Sequence, residues 1–262
     1  MSTKKVLITG TSGLIGGIVY KYLSQFPERY TVHGLDWKQK SSDPGSSGCA
    51  VPGDRFYLVD VADPDAVQGA VDGKDLVVHL AANADEASEW ESLLPPNVVG
   101  AYAVLEASRK AGVERVVNAS SVMVNWGYRR DPEIRAVEEA AEVDLPAEIP
   151  LVTHLSEVRP DCLYGASKVW AESLSRAYVE AHGMSVICVR IGAINKKNEN
   201  APSQRSWWCS HGDIARMIEC CIEAPADVRF DIFYGLSASA WRWMDLDHAK
   251  AIVGFEPLDS VQ

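Results

Sequence analysis

The feature that most constrains this chain is a glycine-rich stretch near its start, Val6-Leu-Ile-Thr-Gly10-Thr-Ser-Gly13-Leu-Ile-Gly16. The apolar run before the glycines is typical of a buried strand, and apolar residues recur at helical spacing after them. A strand, a tight turn and a helix form an anion-binding arrangement, because free N–H groups and the positive helix end point at one place. We expect Gly10 in the turn, Gly13 at the closest approach to a pyrophosphate, and Gly16 where the helix contacts the strand.

The spacing of these glycines, G-x-x-G-x-x-G, differs from the G-x-G-x-x-G of the usual dinucleotide motif. A plain tight turn therefore remains an alternative. A second predicted strand, Tyr30 to Asp36, ends in an acid 20 residues beyond Gly16. A carboxylate at about that separation accepts hydrogen bonds from the adenosine ribose of NAD and repels the 2′-phosphate of NADP. The register favours NAD, and an ordinary turn residue is the alternative interpretation of Asp36.

Strands and helices alternate along the rest of the chain. Further strands are predicted at Phe56 to Val61, Leu76 to Ala82, Arg115 to Ser121, Met184 to Ile191 and Phe230 to Tyr234. Helices are predicted at Pro64 to Val71, Ser88 to Ala111 with an interruption near Pro95-Pro96, Leu163 to His182, Asp213 to Ala224, and Asp245 to Val253. This alternation predicts an α/β fold, a Rossmann-type doubly wound parallel sheet. Residues 39–54 are predicted to form a surface loop.

The predicted domain organisation follows from this pattern. Residues 1–192 are expected to form the dinucleotide-binding domain, with an insertion at 127–160 that is charged and lacks clean periodicity. Residues 193–262 are expected to form a small C-terminal substrate-binding subdomain.

Composition excludes several classes of protein. The formal net charge of −11 argues against a surface for nucleic acid or for an anionic membrane. The sequence has no apolar run near the roughly 20 residues of a membrane span, and the N-terminus shows no signal peptide. The six cysteines form no C-x-x-C pair, and the six histidines lack metal-ligand spacing. We therefore expect a cytoplasmic protein that has no metal site and contacts neither nucleic acid nor membrane.

A candidate catalytic group lies in the middle of the chain. Tyr164 and Lys168 are four residues apart, so their side chains share one helix face. Ser121 ends a predicted parallel strand, at the sheet edge where ligands bind. A phenol of pKa near 10 must become more acidic by about 3 units to act as a base at neutral pH, and a neighbouring cation and hydroxyl can supply this. Taken alone, Y-x-x-x-K is a common pattern.

In this order, these segments resemble the extended short-chain dehydrogenases/reductases, the NAD-dependent epimerase/dehydratase superfamily. The matching segments are Thr9-Gly10-Thr-Ser-Gly13-Leu-Ile-Gly16, Asp36, Asp60-Val61, His79-Leu-Ala-Ala82, Asn97-Val-Val-Gly100, Ala119-Ser-Ser121, Tyr164-Gly-Ala-Ser-Lys168 and Arg190-Ile-Gly192. The resemblance implies NAD as the cofactor. It also implies cofactor contacts from Gly10, Ser12, Gly13, Leu14, Ile15, Gly16, Asp36, Asp60, Val61, Leu80, Ala81, Ala82, Tyr164, Lys168 and Ile191.

The resemblance also implies the catalytic roles. Tyr164 would be the general base, and Lys168 would bind the nicotinamide ribose and lower the tyrosine pKa. Ser121 would orient the substrate hydroxyl, and Asn97 would hold a proton-relay water. Dimers are common in the superfamily, so a homodimer is a further expectation.

The C-terminal part is similar to the uronate dehydrogenase group, which contains NAD-dependent sugar and sugar-phosphate 1-dehydrogenases. The implied reaction oxidises a free aldose derivative, namely a uronate, sugar phosphate or sulfosugar, at C1 to its lactone. Val122-Met123 replace the Asn-His of the uronate dehydrogenases, which alters the expected sugar contacts. Arg205 is the candidate for binding an anionic substrate group, and a solvated basic loop is the alternative. Two other functions stay open: an epimerase or dehydratase that retains NAD, and a non-catalytic dinucleotide sensor.

Overall fold

The fold is a seven-stranded parallel sheet with helices on both faces. The computed structural model describes residues 3–39 and 51–261, so positions 40–50 of the predicted surface loop lie outside the described residues. The strands are β1 (Lys4–Thr9), β2 (Tyr30–Asp36), β3 (Phe56–Leu58), β4 (Leu76–His79), β5 (Arg115–Ser121), β6 (Val186–Ile191) and β7 (Phe230–Gly235). Their order across the sheet is β3-β2-β1-β4-β5-β6-β7, and the predicted Rossmann-type fold is confirmed.

Eight α-helices connect and flank the strands in the described part of the chain. They are α1 (Leu14–Leu23), α2 (Pro64–Val71), α3 (Trp90–Leu93), α4 (Gly100–Ala111), α5 (Pro132–Glu139), α6 (Leu163–His182), α7 (His211–Ile222) and α8 (Asp247–Val253). Among these described residues, no helix combines the length and the apolar character that crossing a membrane requires.

The sheet is buried on both faces because successive side chains of each strand point to opposite sides. In β1, Val6 and Ile8 belong to one hydrophobic cluster with residues of α1 and α7. Leu7 belongs to a second cluster, with residues of α2, α4 and α6. This two-sided burial explains why the strands are near-continuous apolar runs in the sequence.

Several elements are shorter than the sequence predicts. The prediction for the third strand extended to Val61, but the backbone N–H of Asp63 donates to the carbonyl of Asp60 and turns the chain toward α2. The prediction for the fourth strand extended to Ala82, but Leu80 and Ala81 donate their N–H groups to the side chain of Thr9 instead of to a neighbouring strand.

The predicted interruption of the helix near the two prolines is a π-helical segment, Leu94–Val99, between α3 and α4. Proline has no backbone N–H and cannot continue the regular hydrogen-bond pattern. Segments of this type occur frequently at functional sites, and this one contains Asn97.

The C-terminal residues extend the sheet. β7 pairs in parallel with β6, and α7 packs beside α1. The predicted insertion at 127–160 contains α5, and an isolated bridge joins Val152 to Met244. The division of the chain at residue 192 into a cofactor part and a substrate part stays a prediction.

Candidate active site

The glycine turn, residues 10–13, follows β1 at the carboxyl edge of the sheet, where β1 and β4 are neighbours. Open α/β sheets bind ligands at such a place. Gly10 follows β1 with φ +77°, and a Cβ there would stand 2.9 Å from the backbone nitrogen of Ala81. A Cβ at Gly16 would stand 2.1 Å from the carbonyl oxygen of Gly10. The turn and the start of α1 therefore approach more closely than any side chain permits, as predicted for Gly16.

The start of α1 is open for a ligand. Gly13 is the N-terminal boundary residue of α1 and is exposed to solvent. The first backbone N–H groups of a helix have no acceptor within the helix, so those of Leu14 and Ile15 are available to an anion. The chemistry of this turn fits the pyrophosphate of a dinucleotide.

Asp36 is tied directly to the glycine turn. Its Oδ2 accepts a hydrogen bond from the backbone N–H of Ser12 at 2.9 Å, and its Oδ1 accepts one from Lys38 at 3.3 Å. Burial raises the pKa of Asp36, and these backbone donors oppose the rise. The carboxylate is therefore held at the end of β2, facing the cavity beside Gly10, where a ribose would lie.

A cavity of about 470 Å³ extends from the glycine turn over the carboxyl ends of the strands. It is lined by Gly10, Gly13, Asp36, Trp37, Lys38, Val59, Asp60, Val61, Leu80, Ala81, Ala82, Asn83, Pro95 and Pro96. Asp60 and Val61 lie at this cavity, as their predicted cofactor contact requires. The exposed Asp60 carboxylate accepts a hydrogen bond from the N–H of Ala62 at 2.9 Å.

A second cavity of about 420 Å³ contains the candidate catalytic residues. Leu80 and Ala82 line both cavities, so a single extended molecule can occupy the two. The second cavity is lined by Ile15, Ser121, Val122, Met123, Tyr164, Lys168 and Ile191, together with the segment Ala84 to Glu86 and the residues Gln204 and Trp207. The predicted cofactor and catalytic positions that line these cavities lie at one edge of the sheet. Four predicted positions line neither cavity: Ser12, Leu14, Gly16 and Asn97.

The three catalytic candidates come from two elements. Ser121 ends β5, and Tyr164 and Lys168 lie in the first two turns of α6. Lys168 is buried and its Nζ donates to the carbonyl oxygen of Ala119 at 2.9 Å. The same nitrogen lies 5.8 Å from the centroid of the Tyr164 ring.

The acidity of the phenol differs from the expectation. Burial raises the pKa of Tyr164 to about 12, although its hydrogen bond with Ser121 acts to lower it. Burial lowers the pKa of Lys168 to about 8. The Lys168 ammonium donates to a backbone carbonyl and not to the Tyr164 oxygen. Ser121 and Lys168 by themselves therefore do not produce the predicted tyrosine pKa near 7.

Asn97 occupies the middle of the π-helical segment and is buried. Its Nδ2 donates to the carbonyl of Asn83 at 3.0 Å and to Ser167 Oγ at 3.0 Å, and its Oδ1 accepts from the N–H of Asn83 at 2.8 Å. Ser167 lies between the two candidate catalytic residues of α6, Tyr164 and Lys168. Asn97 therefore connects the chain after β4 to that helix, a network that the sequence did not indicate.

Arg205 is not brought into the catalytic cavity. Its guanidinium donates to the carbonyl oxygens of Glu138 and Ala140 at 2.7 Å each, at the C-terminal end of α5. It also lies over the ring of Trp241, 4.4 Å from the centroid. These contacts attach Arg205 to the end of α5. Its contact with an anionic substrate group stays a prediction. Its sequence neighbours Gln204 and Trp207 line the catalytic cavity instead.

One group of side chains in the described part of the chain has the composition of a metal site. The ligand atoms of His154, Asp231 and His248 lie within 4.8 Å of one another. The two imidazole rings are stacked with centroids 3.8 Å apart, and His248 Nε2 is 2.7 Å from an Asp231 oxygen. The nitrogen lone pairs of stacked rings lie in two nearly parallel planes, which is a poor geometry for converging on one shared ion. The expected absence of a metal site stays a prediction.

Fold and site together define a dinucleotide-dependent enzyme of the short-chain dehydrogenase type. The chain belongs to the NAD dependent epimerase/dehydratase family, whose pattern matches residues 6–204, and its cofactor is NAD. The superfamily expected from the sequence is confirmed.

Similar proteins narrow the class to sugar dehydrogenases. The chain is 31% identical over 263 residues to the NAD-dependent glucose-6-phosphate dehydrogenase of Haloferax volcanii, covering 97% of this chain and 93% of that protein. It is 31% identical over 271 residues to the L-arabinose 1-dehydrogenase (NAD(P)(+)) of the same organism, covering 98% and 97%. A tyrosine-to-alanine variant of the Agrobacterium tumefaciens uronate dehydrogenase, solved with NAD, superposes with a TM-score of 0.77 at 29% identity, covering 99% and 86%.

Proposed function

We propose that this protein is an NAD-dependent sugar 1-dehydrogenase that oxidises the C1 hydroxyl of a free cyclic aldose derivative to the lactone. The observation that carries the proposal is the convergence of Ser121, Tyr164 and Lys168 on a cavity that shares its wall with the cavity at the glycine turn. The names of the similar proteins support a sugar as the substrate.

Tyr164 is the proposed base. The C1 hydroxyl of the sugar donates to the Tyr164 oxygen and loses its proton there as the C1–H bond breaks. Ser121, which shares a hydrogen bond with the Tyr164 side chain, is proposed to hold the substrate oxygen in line through its Oγ. A positioned group that takes a proton in this way contributes typically 10²–10⁴-fold to a rate.

Lys168 is proposed to supply a positive charge to the site. Its buried ammonium keeps a positive charge next to the Tyr164 ring and offers further donors to a ribose hydroxyl. When bound, NAD supplies the hydride acceptor and a second positive charge, which favours the phenolate. The residues of the glycine turn and Asp36 are proposed to hold its pyrophosphate and adenosine ribose.

An anionic sugar is part of the proposal. One similar protein is named for a sugar phosphate, and the similar solved structure is of a uronate dehydrogenase. Val122 and Met123 line the catalytic cavity and place apolar surface next to Ser121. They give one face of the sugar an apolar contact at the position where the uronate dehydrogenases carry Asn-His.

The deciding experiment follows NADH absorbance while the protein is incubated with NAD and a panel of aldoses, uronates, sugar phosphates and sulfosugars. Net NADH formation with lactone as the product supports the proposal. An altered sugar without net NADH would indicate an epimerase or dehydratase. NAD binding without turnover of any sugar would indicate a sensor.

A homodimer and a cytoplasmic location complete the proposal. The large side chains Trp90, Tyr102 and Trp170 are 43%, 47% and 43% exposed. They are carried by α3, α4 and α6, and both α3 and α4 pack against α6. Apolar surface of this kind favours a partner subunit. Sedimentation of the wild-type protein and of a Tyr102→Glu, Trp170→Glu variant tests the dimer, and cell fractionation tests the location.

A further inference from the structure

The catalytic cavity has little to offer an anionic substrate group. Among the described residues that line it, Lys168 is the only cation, and its ammonium already donates to the Ala119 carbonyl. Asp85 and Glu86 line the same cavity and repel an anion. A negatively charged sugar therefore needs a counter-charge outside this cavity.

Such a counter-charge lies in a neighbouring cavity, the arginine pocket, which is lined by Arg129, Arg130, Arg135 and Arg205. Glu138, Glu139 and Asp161 line it too, so cations exceed acids there, in a chain whose net charge is −11. The hydroxyl-bearing residues Ser203 and Ser206 complete its wall.

Two of the four arginines are already committed. Arg129 pairs with Glu138, and Arg205 donates to the carbonyls at the end of α5. Arg130 has a 73% exposed side chain, and its one ion pair among the described residues is with Asp161, at 3.3 Å. No side-chain hydrogen bond or ion pair of Arg135 occurs within the described residues, and Arg135 is exposed. Arg130 and Arg135 are therefore the two guanidinium groups available to a ligand.

Two tryptophans in contact lie between the arginine pocket and the catalytic cavity. Trp126 lines the arginine pocket and Trp207 lines the catalytic cavity. Their rings are in edge-to-face contact, with centroids 4.7 Å apart. Both tryptophans pack against the cluster that contains Tyr164 and Met123. Along the chain, Ser203 and Arg205 face the arginine pocket while Gln204 faces the catalytic cavity.

From this arrangement we propose that the arginine pocket binds a tetrahedral oxyanion, the phosphate ester at the end of the sugar opposite C1. A carboxylate is attached directly to the sugar ring and stays within the catalytic cavity. A phosphate ester extends further from the ring, and binding in the arginine pocket requires it to reach past the tryptophan pair. Its doubly charged oxygens match two guanidinium forks. The inference rests on the proposed function, and it assigns Arg130 and Arg135 as determinants of substrate specificity.

The test compares the wild type with an Arg130→Gln, Arg135→Gln variant. In one arm, kcat/KM is measured for glucose 6-phosphate, glucose, glucuronate and 6-sulfoglucose. We expect the preference for the phosphate over the neutral sugar to fall roughly tenfold for each arginine and about a hundredfold for the pair, the effect of losing a hydrogen bond to a charged group. Turnover of glucose should not change. Arg176→Gln, which removes one exposed positive charge on the outer side of α6, should alter neither value.

In the second arm, inorganic phosphate is titrated calorimetrically into the protein saturated with NADH, which covers the glycine turn. Binding should be weakened at least tenfold in the double variant and kept in Arg176→Gln. Equal efficiency with and without the phosphate ester, or a preference that the double variant keeps, overturns the inference while the sugar dehydrogenase stands. A larger effect on 6-sulfoglucose or glucuronate than on the phosphate also overturns it. If no sugar reduces NAD, the proposed function itself fails.

Discussion

Glu172 and Arg190 form a bidentate pair in the core, with Arg190 Nε and Nη2 each donating to a Glu172 oxygen at 2.9 Å. The two side chains are only 6% and 1% exposed. Glu172 lies one turn after Lys168 on α6, and Ser120, next to the candidate catalytic residue Ser121, donates to the same carboxylate at 2.5 Å. Through Arg190 and Ser120, Glu172 therefore fixes α6 to the ends of β6 and β5.

We expect Glu172→Gln to destabilise the protein by roughly 3 kcal/mol, because it leaves a buried guanidinium without its counter-charge. The measurement is the free energy of unfolding in urea. Arg176→Gln on the same helix removes an exposed pair with Glu180 and should change that free energy by only about 0.5 kcal/mol or less. Similar losses in the two variants would contradict the argument.

Tyr164→Phe should keep NAD binding but lose at least ~10²-fold in kcat, because the variant lacks the group that takes the C1 hydroxyl proton. Steady-state NADH formation gives kcat, and quenching of tryptophan fluorescence gives NAD affinity. Tyr102→Phe, at an exposed position of α4, is the matched control and should retain full turnover. Near-normal turnover of Tyr164→Phe would remove this residue from the base role.

The ends of a helix or strand could be predicted from the sequence where neighbouring residues determine them. The bounds of α2 were predicted correctly because Asp63 caps the helix through Ala66 and Pro64 starts it. The end of β4 was predicted too far along the chain, since it depends on Thr9, 71 and 72 residues before the two N–H groups that its side chain accepts. No pattern within a short window contains that contact.

The candidate site shows the same division. Tyr164, Lys168 and Ser121 could be placed from helix spacing and strand ends, and the structure brings them to one cavity. Arg205 could not, because its partners at Glu138 and Ala140 lie 67 and 65 residues away in a segment without a clear pattern. Long-range polar contacts of this kind decide which basic residues remain available to a ligand.

Asp36→Ala should reduce the preference for NAD over NADP, because a carboxylate at the end of β2 can accept hydrogen bonds from the ribose hydroxyls and repels a 2′-phosphate. The ratio of kcat/KM for the two cofactors is the measurement. Asp63 caps α2 and does not line the cavity, so Asp63→Asn should leave the ratio unchanged. An unaltered ratio in Asp36→Ala would take this residue out of the cofactor site.

Gly16→Ala should abolish NAD binding or prevent folding, because the new Cβ would stand 2.1 Å from the Gly10 carbonyl oxygen, far inside contact distance. Gly69→Ala is the matched control: it lies within α2, where a Cβ meets nothing within 4 Å. That change should raise the free energy of unfolding by about 0.5–1 kcal/mol, since alanine favours a helix over glycine. A Gly16→Ala protein with normal NAD affinity would show that the turn can relax.

His79 should make stability depend on pH in the acid range. The residue is buried beside Thr9, with its Nδ1 2.8 Å from the Thr9 hydroxyl, and burial followed by the charge of Lys168 lowers its pKa to about 3. Between pH 6.5 and about 3 the unfolded chain binds a proton at this position that the folded chain does not. Stability is therefore lost as the pH falls through this window, by up to about 1.4 kcal/mol per pH unit.

The measurement compares the free energy of unfolding of the wild type and His79→Asn at several pH values between 7 and 4. Asparagine retains a polar partner for Thr9 but does not titrate, so the difference between wild type and variant should shrink or reverse as the pH falls. His182→Asn, at the exposed end of α6, should follow the wild-type curve. Parallel curves for wild type and His79→Asn would mean that the buried imidazole is protonated in the folded protein and that its surroundings stabilise the charge.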